Sequence, residues 1–150
     1  MLTNNASTNK LDSFVKDAQD IRLVIPLFLL KKLKKHPLTQ GTYPVSLGKV
    51  FHNNKFQINH NSTEHHCLIY CQSGSGILDH RNKLREINRG DLVICSPRQS
   101  FVFTTQSGHN NDFFWINFAG KLADDFAERL LMKMDDGLSH VGVLSNIIAE

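Results

Sequence analysis

The sequence lacks a long hydrophobic run and contains few cysteines. Its longest apolar stretch, "LVIPLFLL" at residues 23–30, is short and contains a proline, whereas a membrane-spanning helix needs about 20 apolar residues. The first residues, "MLTNNASTNKLDS", contain no apolar core of a secretory signal. Three cysteines without framework spacing predict free thiols in a reducing compartment, and not a disulfide-stapled secreted domain. We therefore expect a cytoplasmic protein without a membrane partner.

Neither sign of charge dominates the chain. There are 17 Lys and Arg residues against 14 Asp and Glu, a net charge of +3, and the densest basic run is "KKLKK" at residues 31–35. This is too little for a nucleic-acid surface. Pro26 suits the first position of a helix and Pro37 disfavours helical geometry at the residue before it. We interpret the run as the solvated end of a short helix, where the helix dipole favours cations.

Signatures of catalysis or cofactor binding are also missing. The sequence contains no nucleophile elbow, no phosphate-binding glycine loop, no HExxH and no CxxC. The carboxylates of Asp124, Asp125 and Glu128 cluster, but on a helix they form the polar face opposite an apolar stripe. We therefore predict that the protein is not an enzyme and that it holds neither a metal nor a cofactor.

The patterns that are present predict one mainly β domain. A length of 150 residues with 41% hydrophobic content suffices for a single core. From Tyr43 to Phe118, short apolar or alternating runs are separated by Gly, Asn, Ser and Pro, which is typical of a sandwich or a small barrel. The predicted strands are "SLGKVFH", "KFQIN", "HHCLIYC", "GILDHR", "KLREI", "DLVICS", "SFVFTT" and "DFFWINFA".

The two ends of the chain have different patterns. Residues 1–20 are predicted to form a flexible arm, and residues 21–120 the β domain with its short helix. Residues 121–150 have a helical period that "DDG" interrupts, so they predict an antiparallel helical pair. The second helical pattern has no stop signal at "SNIIAE", so we expect the natural protein to continue.

The stretch "HHCLIYCQSGSG" at residues 65–76 suggests metal or redox chemistry, but strand geometry argues against both. In a strand the two histidines point to opposite faces. Cys67 and Cys71 share a face, yet their Cα atoms would lie roughly 13 Å apart, and a disulfide tolerates less than about 7 Å. We predict a buried strand followed by a hairpin turn at "GSG".

Aromatic residues are concentrated in the last two predicted strands. By alternation Phe113, Trp115 and Asn117 share one face, while Phe114, Ile116 and Phe118 share the other. Both faces are apolar enough to be buried, one inside the domain and one under a helix. Two interpretations remain open, namely a plain aromatic core and an interior cavity in which Trp115 is a stacking wall.

The order and spacing of three motifs provide a family resemblance. "CLIYCQSGSG", "INRGDLVICSP" and "NDFFWINFAG" resemble the N-terminal sensing domain of AraC/XylS-family bacterial transcription regulators, and the lead-in "HPLTQGTYPVSLGKVFHN" does too. The resemblance covers about residues 35–130. It implies a cupin-like, jelly-roll β-barrel that binds a small effector, often a sugar, and C-terminal helices that pair two subunits into a homodimer. DNA binding would belong to a helix-turn-helix domain beyond this chain.

The resemblance also suggests site residues, with some departures. Phe103, Phe113 and Trp115 match positions that line the sugar pocket of the arabinose-type sensor. Phe101 stands where many members have a histidine, in "SPRQSF", and Asn59 stands where many have an arginine. With fewer polar groups on this face, we expect a less polar ligand, or donors recruited from Asn59, His60, Arg98 or the arm. The residues predicted for dimerisation are Leu144, Ile147 and Ile148.

Two other functions remain as alternatives. A metal-dependent cupin enzyme would need a convergent histidine set, but here the histidine pair is adjacent and diverges, and the later position is Phe101. A stand-alone carbohydrate-binding barrel would share the fold and lack the DNA partner.

Overall fold

The computed structural model describes residues 21–52, 57–60, 64–97, 100–105, 110–132 and 137–142, and of residues 51, 52 and 60 the backbone only. The predicted flexible arm therefore lies outside the described residues. The described part forms a mainly β fold, as predicted. Its elements are β1 (Ile21–Val24), α1 (Leu27–Lys35), β2 (Tyr43–His52), β3 (Gln57–His60), β4 (His66–Ser73), β5 (Ser75–His80), β6 (Lys83–Asn88), β7 (Asp91–Cys95), β8 (Phe101–Thr105), β9 (Asn111–Ala119), α2 (Ala123–Leu131) and β10 (Leu138–His140).

The strands form two antiparallel sheets. The larger sheet has the order β1-β2-β9-β4-β7-β10, and the smaller has the order β3-β8-β5-β6. Strand pairing within the described residues does not join the two sheets into one closed barrel. The resemblance predicted a barrel, and the structure instead has two separate sheets whose inner side chains pack together.

The space between the sheets is filled by one hydrophobic core. Alternation directs every second side chain inward, so Cys67, Ile69 and Cys71 of β4 meet Phe101 and Phe103 of β8. This confirms the predicted burial of one face of "HHCLIYC". A strand that places three side chains in the core within five residues has its register firmly set, because a slip of one residue would expose all three.

A second core lies outside the larger sheet, beneath α2. Ala123 and Ala127 of the helix are buried against Phe118 and Ile94 of the sheet. The aromatic ring of Phe126 also meets that of Phe118 edge to face, with centroids 5.7 Å apart. The prediction that a helix covers the second face of β9 is therefore confirmed at this end of the strand.

The other end of that face is not buried, contrary to the prediction. Phe114 is 38% exposed, because α2 does not extend over it. The amine of Lys49 lies 4.8 Å from the centre of the Phe114 ring, so a cation covers it in part. The apolar composition of this strand face does not show that Phe118 lies under a helix while Phe114 lies beside a lysine.

The short helix α1 agrees with its sequence signals. It begins at Leu27, one residue after the predicted first position Pro26, and ends at Lys35, and the following His36 has an extended ψ of 131°. Pro37 accounts for this geometry because its ring disfavours helical conformations at the preceding residue. No residue of α1 is buried, and no helix among the described residues is long and apolar enough to cross a membrane.

The turn at Gly74 differs from the predicted hairpin. Gly74 has a φ of +84°, which favours glycine, and the chain bends there. However, β4 belongs to the larger sheet and β5 to the smaller one. The turn therefore carries the chain from one sheet to the other, and it does not connect two paired strands.

The segment after α2 begins as a strand and not as a second helix. β10 pairs with β7, and the Leu138 side chain packs against the inner core. His140 bonds to Asp91 through Nδ1 at 3.0 Å, and the Tyr70 hydroxyl donates to the Gly142 carbonyl at 2.7 Å. The predicted second helix falls mainly on residues 143–150, which lie outside the described residues. Leu144, Ile147 and Ile148 lie there too.

Candidate functional site

The four aromatic side chains predicted for the site lie together between the sheets. Phe101, Phe103, Phe113 and Trp115 belong to one core, and none is more than 5% exposed. The rings of Phe103 and Phe113 meet at an angle of 65° with centroids 4.9 Å apart. In this conformation the four side chains form a closed aromatic cluster, and a ligand beside them would have to displace or extend this packing.

Two glycines make room for this aromatic cluster. A Cβ atom at Gly48 would lie 2.6 Å from the Trp115 ring and 2.5 Å from the backbone oxygen of Ile21. A Cβ atom at Gly76 would lie 2.5 Å from the Phe103 ring. Since real Cβ contacts are essentially never this short, both strands need glycine where an aromatic ring crosses them.

Next to Trp115, the inner face of the larger sheet has two polar side chains and two thiols. The register places Ser46, Asn117, Cys67 and Cys95 side by side on four adjacent strands, and we call this set the inner polar row. The Asn117 amide donates from Nδ2 to the Ser46 hydroxyl at 3.1 Å. Its Oδ1 atom is buried and has no hydrogen-bond partner among the described residues. An unmet buried acceptor costs about 1 to 3 kcal/mol, so this end of the core is suited to receive a donor.

The smaller sheet has two histidines at the register position of Phe101. The register aligns His60, Phe101 and His80 on β3, β8 and β5, and His80 is only 9% exposed. The side chain of His60 lies outside the described residues. Arg81, which follows His80, lies close enough to Cys95 to affect the pKa of that thiol. Of this end of the smaller sheet, Arg81 is therefore the residue that lies near the inner polar row.

Not all the predicted donors join this group. Asn59 lies on the face of β3 opposite the buried Ile58, and its Oδ1 accepts a bond from Gln57 at 3.3 Å. It is thus not brought together with the aromatic cluster. Arg98 lies outside the described residues. Roles for Asn59, His60 and Arg98 in ligand binding stay predictions.

The three cysteines are buried free thiols. This agrees with the prediction that Cys67 and Cys71 lie too far apart along one strand to form a disulfide. Burial raises the pKa of Cys71 to about 12, helped by the negative charges of Asp91 and Asp112. Burial likewise raises the pKa of Cys95 to about 12, against the opposing charge of Arg81. A thiol with so high a pKa contains almost no thiolate at neutral pH, so these side chains act as packing groups and not as nucleophiles.

The sequence signals for this site were incomplete. The sequence patterns do not mark Ser46 or His80, whereas Asn117, in line with Phe113 and Trp115 on one strand face, is recognisable as a polar group directed into a core. Glycine within a strand pattern marks a close approach of two chains, and that signal was available for Gly48 and Gly76. In the described part of the chain, no group of three or more His, Cys, Asp or Glu side chains could hold a metal ion.

Comparison with known proteins decides the family. The model of the family described as "AraC-like ligand binding domain" matches residues 44–147. The chain belongs to this family. The match includes the aromatic cluster, the inner polar row, α2 and β10, so every part of the candidate site falls within the ligand-binding module that the family name describes.

A curated relative and two solved structures extend the comparison. The MmsAB operon regulatory protein of Pseudomonas aeruginosa is 31% identical over 110 residues, which are 71% of this chain and 36% of that protein. This chain therefore spans about a third of that relative. A Cupin 2 conserved barrel domain protein from Salinispora arenicola CNS-205 has a TM-score of 0.49 and 14% identity, covering 73% of this chain and 82% of that one. KdgF from Halomonas sp. has a TM-score of 0.47 and 12% identity, covering 78% and 94%.

Proposed function

We propose that this AraC-like domain is the effector-sensing part of a bacterial transcription regulator, and that it is not an enzyme. Its family and its 31% identity to an operon regulatory protein support this role. The effector is a small molecule that binds between the two sheets. A cytoplasmic location fits a regulator of this kind and the three free thiols.

The observation that carries the proposal is the Asn117 Oδ1 atom, a buried acceptor beside Trp115 that has no hydrogen-bond donor among the described residues. The indole of Trp115 offers a flat apolar surface, held in place over Gly48. Asn117 offers Oδ1 to a hydroxyl or N–H donor. A metabolite with one apolar face and at least one donor, such as a sugar, matches both groups. The aromatic cluster around them has few polar groups, which favours a ligand less polar than an unsubstituted sugar.

A thermal-shift screen tests effector binding. Sugars, amino sugars and small aromatic or aliphatic acids are added singly to the purified chain. A true effector at about 100 times its dissociation constant adds about 2.7 kcal/mol to the free energy of unfolding, so we expect the Tm to rise by about 5 to 10 °C. Asn117→Ala should weaken the rise for the same compound. If every compound in these classes leaves the Tm unchanged, the proposed effector class is wrong.

We expect the C-terminal segment to couple effector binding to DNA binding. β10 joins the inner core, through Leu138, to the residues that follow Gly142. Effector binding would favour one arrangement of this segment and of a helix-turn-helix domain attached to it. The regulator would act as a homodimer, paired through Leu144, Ile147 and Ile148 on the apolar side of the predicted second helix.

Substitutions in that helix test the dimer. Leu144→Glu or Ile147→Glu places a charge in the proposed apolar interface, so we expect the molar mass measured by light scattering to fall from two chains to one. Asn146→Glu, on the opposite side of the predicted helix, is the matched control and should leave the mass at two chains. An unchanged mass for both Leu144→Glu and Ile147→Glu would place the interface elsewhere.

A further inference from the structure

A cavity lies outside the larger sheet, away from the aromatic cluster. It has a volume of about 450 Å³ and lies between α2 and the outer ends of β4 and β9. Ala123, Ala127 and Leu131 form its wall on the helix side, and Pro97 also lines it. The small alanine side chains leave this space open where larger residues would have filled it. The cavity is thus apolar on its inner wall and large enough for a ligand of several heavy atoms.

Among the described residues, every charged side chain that lines this cavity is a carboxylate. Glu64 lies before β4, while Asp124 and Glu128 lie one turn apart on α2, and no described lysine or arginine lines the cavity. The three carboxylates are solvent-exposed, so each contributes only modestly to binding. Together they create a negative rim around an apolar wall, which favours a cation that carries a short hydrocarbon chain.

His66 provides a separate reason to expect a ligand. Its side chain lines the cavity and is only 5% exposed, and its ring stacks on Phe118 with centroids 5.1 Å apart. Nε2 lies 2.9 Å from Oδ1 of Asp124, while Nδ1 is buried without a partner among the described residues. When Nε2–H donates to the Asp124 carboxylate, the neutral ring leaves Nδ1 as an acceptor. The group without a partner is therefore an acceptor, and because it is buried in this conformation, a ligand donor reaches it only if the ring or its neighbours shift.

We propose that this outer cavity, between His66 and α2, is a binding site for a small organic cation, either an alkylammonium or an alkylguanidinium. The hydrocarbon part lies against Ala123, Ala127 and Leu131, and the N–H donors face the carboxylates of Asp124 and Glu128 and the imidazole of His66. Such a ligand would connect β4 to α2 at the position where His66 and Asp124 already join them. The site is distinct from the effector site between the sheets, and it does not depend on the proposed regulatory function.

The test is an NMR titration of the ¹⁵N-labelled chain with butylammonium at about 0.15 M ionic strength, which screens nonspecific attraction. Butanol and butyrate serve as controls of similar size and different charge. Butylammonium should give saturable shifts at the His66 imidazole and the Ala123 and Ala127 amides, with at least fivefold tighter binding than either control. Equal binding of butylammonium and butanol, or the absence of saturable shifts at these groups, would overturn the proposal.

Variants on α2 identify the carboxylates that matter. Asp124→Asn and Glu128→Gln should each weaken butylammonium binding about threefold, and the double variant about tenfold. Asp125→Asn is the matched control, because Asp125 is an exposed neighbour that does not line the cavity. If Asp125→Asn weakens binding as much as Asp124→Asn, the attraction comes from the general negative surface of the helix, and the proposed site is wrong. An unchanged affinity in the double variant also contradicts it.

Discussion

Replacing Phe113 with alanine should lower the free energy of unfolding by about 3 to 5 kcal/mol, the usual cost of removing a fully buried phenyl ring. Phe113 has no exposed surface and packs edge to face against Phe103, so its loss leaves a cavity lined by both sheets. Because this ring lies where the sheets meet, neighbouring side chains have little freedom to collapse into the space. Equilibrium unfolding in urea measures the change.

Phe114→Ala is the control, one residue along the same strand. Phe114 is on the other face of β9, is 38% exposed, and contacts Lys49 and Tyr70. Its loss removes less buried area, so we expect a decrease of about 1 kcal/mol. Similar losses for the two substitutions would contradict the alternation that places Phe113 inside, and with it the location of the aromatic cluster.

Gly48→Ala should destabilise the chain by about 2 kcal/mol and change the fluorescence of Trp115. The added methyl group would collide with the indole and with the backbone oxygen of Ile21, and a backbone atom of a paired strand cannot easily move aside. The alanine regains part of the loss because glycine weakens strands by roughly 0.5 to 1 kcal/mol. The chain contains one tryptophan, so the emission spectrum reports its displacement directly.

Gly41→Ala provides the comparison for this substitution. A Cβ atom at Gly41 would lie 3.2 Å from the end of the Leu122 side chain, which is flexible and 57% exposed. We expect a change of less than about 0.5 kcal/mol and an unaltered emission spectrum. If Gly48→Ala has as little effect on stability and fluorescence, Trp115 does not lie over Gly48, and the wall proposed for the effector site is misplaced.

Much of the fold could be predicted from the sequence, because alternation and turn residues are local signals. These signals predicted the buried strand that contains Cys67, Ile69 and Cys71. They also predicted a helix near Pro26 and a helix over β9. The distribution of strands between sheets could not be predicted in this way. Gly74 signals a reversal, but only distant pairing decides that β5 joins β8 and not β4.

The candidate site was predictable to a smaller degree. Periodicity and the family resemblance predicted Phe103, Phe113 and Trp115 as members of one site, and the structure places them in one core. The contacts that complete the site join residues far apart in sequence, such as Asn117 with Ser46 and Asp124 with His66. Nothing local distinguishes Asp124 from Asp125 on α2, and only the position of the helix over the sheet makes the first a partner of His66.

The most direct test of the central claim is a fluorescence titration of Trp115 with an effector identified by thermal shift. A ligand that binds between the sheets at the inner polar row should change the emission saturably. Asn117→Ala should weaken this binding about tenfold, which corresponds to one buried hydrogen bond of about 1.4 kcal/mol. A compound that raises the Tm, leaves Trp115 emission unchanged and binds Asn117→Ala as tightly as the original chain would contradict the account.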